Sequence, residues 1–417
     1  MTRRRRILAI VAVALLLALA GSVQWLAQPE QFTGLLLDRI GVALGLEITA
    51  GDTSEYRLRG TPQLVLRELV VRQPGEPTPI LRAARAELLV PWSTLRARGE
   101  ELTIERIEFD GPHLDITALQ RWLATRPKTD APARIPDLTR GISIRDGRID
   151  AAGWRVDTLA ASVPALHPGS PVRARANGRV LVGSTRMPFD LALALTSPDA
   201  AAGLGAHGAF AIETAGWQLP MQVRLRGRLN SDAGGIGLDA MRLGATARYV
   251  SGTQSHTFAL GVAGPLRIQD GEVSIAPVGI AIRGRELIPS LRAHGRVHWH
   301  DALGLDLSGA LARWPPDWPA LPAPIGRPAT AVPLELRYAG PLDFSGETEL
   351  NVEPDAMRAD LRFRLPDVLD WFDAMESGTP LPPLVGRVTA PRLELAGAVL
   401  DGVEIDFEDR PAPRAAP

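Results

Sequence analysis

The stretch MQVRLRGRL, residues 221–229, alternates apolar and polar residues, with Gly227 standing at one of the apolar positions. Successive side chains of a strand point to opposite faces of its sheet, so this pattern predicts a strand with one aliphatic and one charged face. The same alternation recurs in shorter stretches: Leu334–Tyr338, Leu361–Leu365, Leu393–Leu395 and Val403–Glu408. The chain is therefore predicted to be mainly β.

The composition agrees with many short strands joined by turns. The 417 residues include 40 glycines and 36 prolines, which are too many for a helical protein. There is no cysteine, so no disulfide framework is available. The formal net charge of −1 gives no signal for nucleic acid or another highly charged partner.

Few helices are predicted, and this limits how the apolar strand faces can be covered. Period-two strands begin at Leu46, and the readable helices after them are Thr117–Thr125 and Asp367–Met375. So few helices cannot cover a long sheet. The sheet must cover itself as a sandwich or a barrel, or it must leave an aliphatic trough. Periodicity does not distinguish these three arrangements.

Proline-rich segments interrupt the pattern. Residues 127–140 contain three prolines and few apolar groups, which indicates a linker. Arg313–Pro333 contains seven prolines, which cannot join the middle of a sheet, so an irregular excursion is expected there. Residues 409–417, rich in proline and alanine, are predicted to be a flexible tail.

The N-terminus carries a membrane signal. Arg3–Arg6 precede residues 7–27, which contain no ionisable side chain and are long enough to cross a bilayer as a helix. The arginines place residues 1–6 in the cytoplasm and the bulk of the chain across the membrane, outside the cytoplasm. The alternative is a cleaved signal peptide with Ala18-Leu19-Ala20 as its cleavage site.

A short amphipathic helix is predicted directly after this segment, from Pro29 to Leu44. Its apolar face would rest at the mouth of the membrane, and it carries Phe32, Leu36, Ile40 and Leu44.

The order of these segments resembles the start of AsmA-like proteins of bacterial envelopes. The residues that carry the resemblance are the stretches EQFTGLLL (30–37), LEIT (46–49), AARAELLVPWSTL (83–95) and LTIERIEFDGP (102–112). Arg387–Glu408 resembles the repeated strands of that family, whereas residues 126–385 match it only in general character.

The resemblance implies a single-pass protein of the cell inner membrane with a helix and β module at 28–126 and extended β-groove repeats at 141–408. Its expected fold is an elongated, curled antiparallel sheet that forms a groove. Members are implicated in phospholipid transport between the two membranes and in outer-membrane assembly. The implied partners are phospholipid or another envelope lipid, the inner membrane, and an outer-membrane or periplasmic protein.

The apolar positions of the alternating strands are the candidates for contact with lipid. They are Val223, Leu225, Leu334, Leu336, Leu361, Phe363, Leu393, Leu395, Val403, Ile405 and Phe407. An acyl chain gains about 0.8 kcal/mol for each methylene removed from water, so such a groove needs no specific contacts. The alternative function is a structural or assembly factor whose exposed strand edge recruits an outer-membrane or secretion component.

The motifs that could carry other chemistry are weak. The stretch GLGAHG, residues 203–208, matches a dinucleotide-binding pattern, but no helix follows it, and a glycine-rich turn between strands is the simpler interpretation. His294, His298 and His300 lie on one face of a predicted strand and are either metal ligands or part of a polar face. The arginines at 224–228 are either outer-face residues or contacts to lipid phosphate. No catalytic residue, metal site or cofactor is predicted.

Overall fold

The computed structural model of the chain describes residues 45–51, 55–57, 61–96, 103–125, 136–198, 201–232, 235–269, 271–285, 287–318, 320–321, 323, 325–374, 383–395 and 398–408. The predicted anchor at 7–27, the membrane-mouth residues Phe32, Leu36, Ile40 and Leu44, and the tail at 409–417 lie outside these residues. Among the described helices, none combines the length and the apolar character needed to cross a membrane.

The described chain is mainly β, as predicted. It contains a large, mostly antiparallel sheet of 22 strands, a separate pair of short parallel strands, and three short helices. The helices are α1 (Trp92–Arg96), α2 (Ile116–Thr125) and α3 (Leu365–Ala374). The predictions of the second and third of these are confirmed within one or two residues of their ends.

The strands follow one another closely along the chain. They are β1 (Glu47–Thr49), β2 (Glu55–Arg57), β3 (Gln63–Arg72), β4 (Leu81–Leu89), β5 (Thr103–Ile104), β6 (Arg106–Asp110), β7 (His113–Asp115), β8 (Asp137–Leu138), β9 (Ile142–Ala151), β10 (Trp154–Val163), β11 (Val172–Val182), β12 (Thr185–Leu195), β13 (Gly203–Glu213), β14 (Gln218–Asp232), β15 (Gly235–Ser251), β16 (Gln254–Gln269), β17 (Glu272–Arg283), β18 (Leu291–Trp299), β19 (Leu303–Leu311), β20 (Val332–Gly340), β21 (Glu347–Val352), β22 (Arg358–Arg364), β23 (Leu384–Leu395) and β24 (Ala398–Glu408).

Internal contacts divide the chain into two compact units. Unit 1 comprises Met1–Ile212 and Val223–Leu238, and unit 2 comprises Glu213–Gln222 and Asp239–Pro417. Both units consist largely of antiparallel strands that pair with their neighbours in sequence.

The first part of unit 1 has a closed core, which α2 completes. Strand β3 pairs with β1, β2 and β4, and β4 pairs in turn with β6 and β7. The Asp115 carboxylate accepts a hydrogen bond of 2.7 Å from the Ala118 amide and so caps the start of α2. One face of this helix buries Leu119 and Trp122 in a cluster with Leu66 and Val71. The strand faces here are covered by a helix.

The segment predicted as a linker at 127–140 ends in a strand rather than in a loop. Asp137–Leu138 forms β8, which pairs in parallel with Thr103–Ile104. Leu138 and Ile104 are both 0% exposed. The prolines before β8 indicated a linker, but burial of Leu138 in a small core places the last residues of that segment in the fold.

Arg140 ties this segment to Glu105 through both backbone and side chain. The Arg140 amide donates to the Glu105 carbonyl at 2.7 Å, and its guanidinium donates to the Glu105 carboxylate at 2.8 Å. The hydrogen bond from Arg140 is the main reason why the pKa of Glu105 is lowered from its ordinary value of 4.5.

We expect Arg140→Gln to lower the free energy of unfolding by about 0.5 kcal/mol at pH 7, because the ion pair is partly exposed to solvent. A carboxyl group with a depressed pKa in the folded state contributes its stability above pH 4.5, and that contribution disappears as the pH falls through the depressed value. Urea unfolding of the two proteins at pH 7 and at pH 3 measures this. A difference that persists unchanged at pH 3 would contradict the assignment to Glu105.

Candidate functional site

The aliphatic face of β11 and β12 is the first candidate site. The two strands pair in register over their whole length, so Ala174 lies opposite Leu193, Ala176 opposite Leu191 and Val180 opposite Met187. We call this surface the unit 1 aliphatic face; it comprises Val172, Ala174, Ala176, Val180, Val182, Met187, Phe189, Leu191, Leu193 and Leu195. All of its side chains are apolar.

The opposite face of the same strands is charged. Asn177 lies opposite Asp190, and the Arg175 guanidinium lies 3.3 Å from the Asp190 carboxylate. Arg179 donates two hydrogen bonds of 3.0 Å to Asp157 on β10. These ion pairs belong to a surface that faces water, so the aliphatic face is the inner one.

The unit 1 aliphatic face is only half buried. Among the described residues from 157 to 220, the buried ones are Val172, Thr185 and Ala202, while Leu191, Leu193 and Leu195 keep intermediate exposure. In the closed core of the same unit, by contrast, Leu66 is 3% exposed. A contiguous, partly exposed apolar surface of this kind is typical of a binding site.

A second aliphatic face extends across neighbouring strands of unit 2. On neighbouring strands, Ile280 lies opposite Ala293, Leu307 opposite Leu336, and Leu350 opposite Leu361. We call it the unit 2 aliphatic face; its members are Val262, Ile280, Ala293, Val297, Leu305, Leu307, Leu334, Leu336, Leu350, Leu361, Val388 and Ile405. The alternating stretches of the sequence therefore lie side by side on one surface.

The other surface of these strands carries cross-strand ion pairs. Arg296 on β18 lies 2.8 Å from Asp306 on β19, and Arg337 on β20 lies 4.0 Å from the same carboxylate. Arg387 on β23 lies 2.9 Å from Asp406 on β24. The charged residues of the alternating pattern are thus explained by pairing on an outer, solvated surface.

The sheet of unit 2 is curled. The Trp217 indole nitrogen, next to the start of β14, donates to the Asp343 carbonyl after β20 at 3.3 Å. Six strand spacings of about 4.8 Å would separate β14 from β20 by about 29 Å in a flat sheet. The contact therefore requires a curled sheet within this unit.

Two aromatic pairs lie near the contact between Trp217 and Asp343. The Trp217 ring lies 6.1 Å from that of Tyr249, and the Tyr338 ring lies 5.2 Å from that of Phe344. Burial raises the pKa of the Tyr338 phenol, whose hydroxyl donates to the Pro341 carbonyl at 2.6 Å. Tyr338 shares its strand face with Leu334 and Leu336.

The proline-rich segment 312–331, which we call the strap, covers part of the unit 2 aliphatic face. Residues 319, 322 and 324 of the strap lie outside the described part of the chain. Trp314 and Trp318 pack against the cluster that contains Leu334 and Leu336, and their own rings meet edge to face at 5.2 Å. The prediction of an irregular excursion is confirmed, but its packing on the sheet was not predicted.

The structure distributes the predicted lipid-contact residues between the two units. Val223 and Leu225 lie on β14 within unit 1 and are half-buried. Leu334, Leu336 and Leu361 belong to one cluster of unit 2, and Leu393, Val403 and Ile405 to another. Phe363 and Phe407 are half-buried on β22 and β24. Leu393 is 1% exposed, and the side chain of Leu395 lies outside the described residues.

The other motifs have structural explanations. The interpretation of residues 203–208 as a turn is wrong, because they lie inside β13. His294 and His298 are exposed on the polar face of β18, and His300 follows that strand. No group of side chains in the described ranges could hold a metal ion. The arginines at 224, 226 and 228 are exposed on the face of β14 opposite Leu225.

Sequence reasoning missed the unit 1 aliphatic face and the strap. Residues 172–182 alternate small apolar residues with arginine, a signal that alanine and glycine weaken because their side chains are small. The two tryptophans of the strap, which stand among prolines, were the available sign that the segment packs on an apolar surface.

Comparisons with known proteins give no match. Neither models of protein families, nor curated proteins, nor solved structures match the chain. Function is therefore argued from the two aliphatic faces.

Proposed function

We propose that the chain shields the acyl chains of phospholipid or another envelope lipid on its aliphatic faces and so supports phospholipid transport or outer-membrane biogenesis. The observation that carries the proposal is the unit 1 aliphatic face, on which ten apolar side chains of β11 and β12 lie together and all except Val172 remain partly exposed. The protein would act from the periplasm, anchored in the inner membrane by residues 7–27.

The energetics favour an acyl chain as the occupant. Removing a methylene from water contributes about 0.8 kcal/mol, so ten methylenes contribute about 8 kcal/mol without any directed contact. Six of the eleven residue pairs of β11 and β12 lie on this face, and none of them carries a charge. On a surface of this kind, affinity depends on the apolar area that the ligand buries, so apolar chains are preferred.

The resemblance to AsmA-like proteins supports the same function. In that family the implied architecture is an elongated groove of repeated strands, and an aliphatic strand face such as the one found in each unit is what a groove of that kind requires. The charged outer surfaces, with pairs such as Arg179–Asp157 and Arg296–Asp306, would keep the groove soluble in the periplasm.

Two adjacent residues of β12 provide the test. Leu193 belongs to the unit 1 aliphatic face, and Ala194 points to the opposite face. A photoreactive benzoylphenylalanine placed at either position in the full chain, in native membranes, should form lipid adducts at 193 and not at 194. Mass spectrometry of the cross-linked protein identifies the lipid.

A charged substitution measures the same contact. Leu193→Asp should lower the yield of lipid adducts from a probe at Leu191 at least tenfold, because a carboxylate is expensive to bury among acyl chains. Ala194→Asp, one residue away, should leave the yield within twofold of the parent. Equal adduct yields at 193 and 194, or full lipid occupancy in folded Leu193→Asp protein, would contradict the proposal.

An exposed strand supports the second function, assembly of envelope components. Strand β24 pairs with β23, and the strands described here provide no partner for its other edge. Val399 and Leu400 near its start are 48% and 45% exposed. A free, partly apolar edge can bind an extended segment of another protein. Folded, lipid-free protein in the test above would favour this function.

A further inference from the structure

The strap packs on the same buried clusters as the proposed lipid-contact residues of unit 2. Trp314 and Trp318 pack against a cluster that contains Leu334, on which Leu336 and Leu361 also pack. Farther along, Leu321 and Ile325 pack against the cluster of Met357, Ala390 and Leu393, on which Val403 and Ile405 also pack. The strap therefore lies where an acyl chain on this face would lie.

Among the described residues, hydrogen bonds join the strap to the rest of unit 2 at separate points and not along a paired strand. The Trp318 indole donates to the Leu287 carbonyl at 3.0 Å, and the Ala312 amide donates to the Ser290 carbonyl at 2.7 Å. At its far side the Glu394 amide donates to the Ala323 carbonyl at 2.6 Å, in an isolated antiparallel bridge.

The strands beneath the strap, by contrast, are joined by continuous rows of backbone hydrogen bonds. Strand β20 pairs along its whole length with β19, and with β21 over its middle, from Leu334 to Tyr338. A segment with few backbone hydrogen bonds opens at a lower free energy than paired strands do. Opening of the strap would expose apolar side chains while the sheet stays folded.

We propose that the strap is an internal occupant of the unit 2 aliphatic face, which an acyl chain displaces in order to bind there. This inference rests on the proposed function, and it adds a regulatory step to it. Apparent lipid affinity in unit 2 is then reduced by the fraction of molecules in which the strap is closed. The unit 1 aliphatic face has no such cover in the described chain and takes up lipid without this step.

A reversible disulfide can lock the strap in place. Ala323 and Glu394 are exposed partners in an antiparallel bridge, a geometry whose Cα separation suits a disulfide. The chain has no cysteine of its own, so the double variant Ala323→Cys, Glu394→Cys contains a single possible pair. Ser308→Cys with Glu335→Cys joins β19 to β20 on the polar face and serves as the matched control.

Photoreactive probes at Leu336 and Leu193 of the full chain, in native membranes, report lipid at the two faces. With the strap locked, adducts at Leu336 should fall at least tenfold and return on reduction, while adducts at Leu193 stay constant. The control disulfide should change neither yield. Equal adduct yields at Leu336 in the oxidised and reduced lock would overturn the inference and leave the proposed function intact.

A second measurement tests the strap without lipid. In the reduced chain, hydrogen exchange of the Leu321 and Glu394 amides, which bond to Gly326 and Ala323, should be at least a hundredfold faster than that of amides in the middle of β20. Oxidation of the lock should slow both. Absence of adducts at Leu193 would refute the proposed function, whereas exchange as slow as in β20 would refute a displaceable strap.

Discussion

Replacing Trp122 by alanine is expected to destabilise the closed core of unit 1 by about 3–5 kcal/mol. Trp122 is 2% exposed and belongs to the cluster formed by α2 with β1, β3 and β4. Truncation removes the largest fully buried side chain of the described residues and leaves a cavity beneath a helix of ten residues. The helix packs through few other side chains, chiefly Ala118 and Leu119, so it cannot refill the space.

Native-state hydrogen exchange of the β3 and β4 amides measures this loss locally, without assuming that the whole chain unfolds in one step. Protection of these amides should fall by a factor of at least about 100, since each 1.4 kcal/mol is tenfold. Gln120→Ala, at an exposed position of the same helix, should change protection less than threefold. Protection within tenfold of the parent in Trp122→Ala would show that β3 and β4 hold without the helix.

The helix of this core was predicted from the sequence, because Leu119, Trp122 and Leu123 fall on one face of a helical pattern. Its packing over β3 and β4 was not predicted, because the few helices were expected to leave the sheet to cover itself. In unit 2 the alternation likewise predicted which side chains share a face, because strand period is independent of register. The pairing of Leu336 with both Leu307 and Leu350 then follows from consecutive antiparallel strands.

Features that depend on residues far away in the sequence could not be predicted from local patterns. Leu138 is buried because β8 pairs with Ile104 and Thr103, more than thirty residues earlier, and a two-residue strand has no period of its own. The strap packs on strands that precede and follow it in the chain, and apart from its tryptophans the local sequence carries no sign of that packing. Gly208 is another feature of this kind, because what lies beside it depends on how closely two strands approach each other.

Gly208→Val is expected to destabilise unit 1 by about 4 kcal/mol or more. A Cβ atom at this position would lie 2.0 Å from the carbonyl oxygen of Asp190, and the φ angle of +149° is one that L-residues rarely adopt. The obstacle is backbone, so no rotation of a side chain relieves it. Strand β13 would have to move away from β12, which would also disturb the middle of the unit 1 aliphatic face around Leu191.

The same GLGAHG stretch supplies the matched control for that substitution. A Cβ atom at Gly205 meets nothing within 4 Å, so Gly205→Ala should leave the free energy of unfolding within about 1 kcal/mol of the parent. The substitution can even raise it slightly, because alanine reduces the conformational entropy of the unfolded chain. Exchange of the β12 amides measures both variants. If the glycines formed a turn or bound a nucleotide, substitution of Gly205 and of Gly208 would be expected to have similar effects. If Gly208 instead allows two strands to approach closely, only the Gly208 substitution should reduce protection of the β12 amides. Loss of protection in both variants to the same degree would contradict the assignment of this motif to β13.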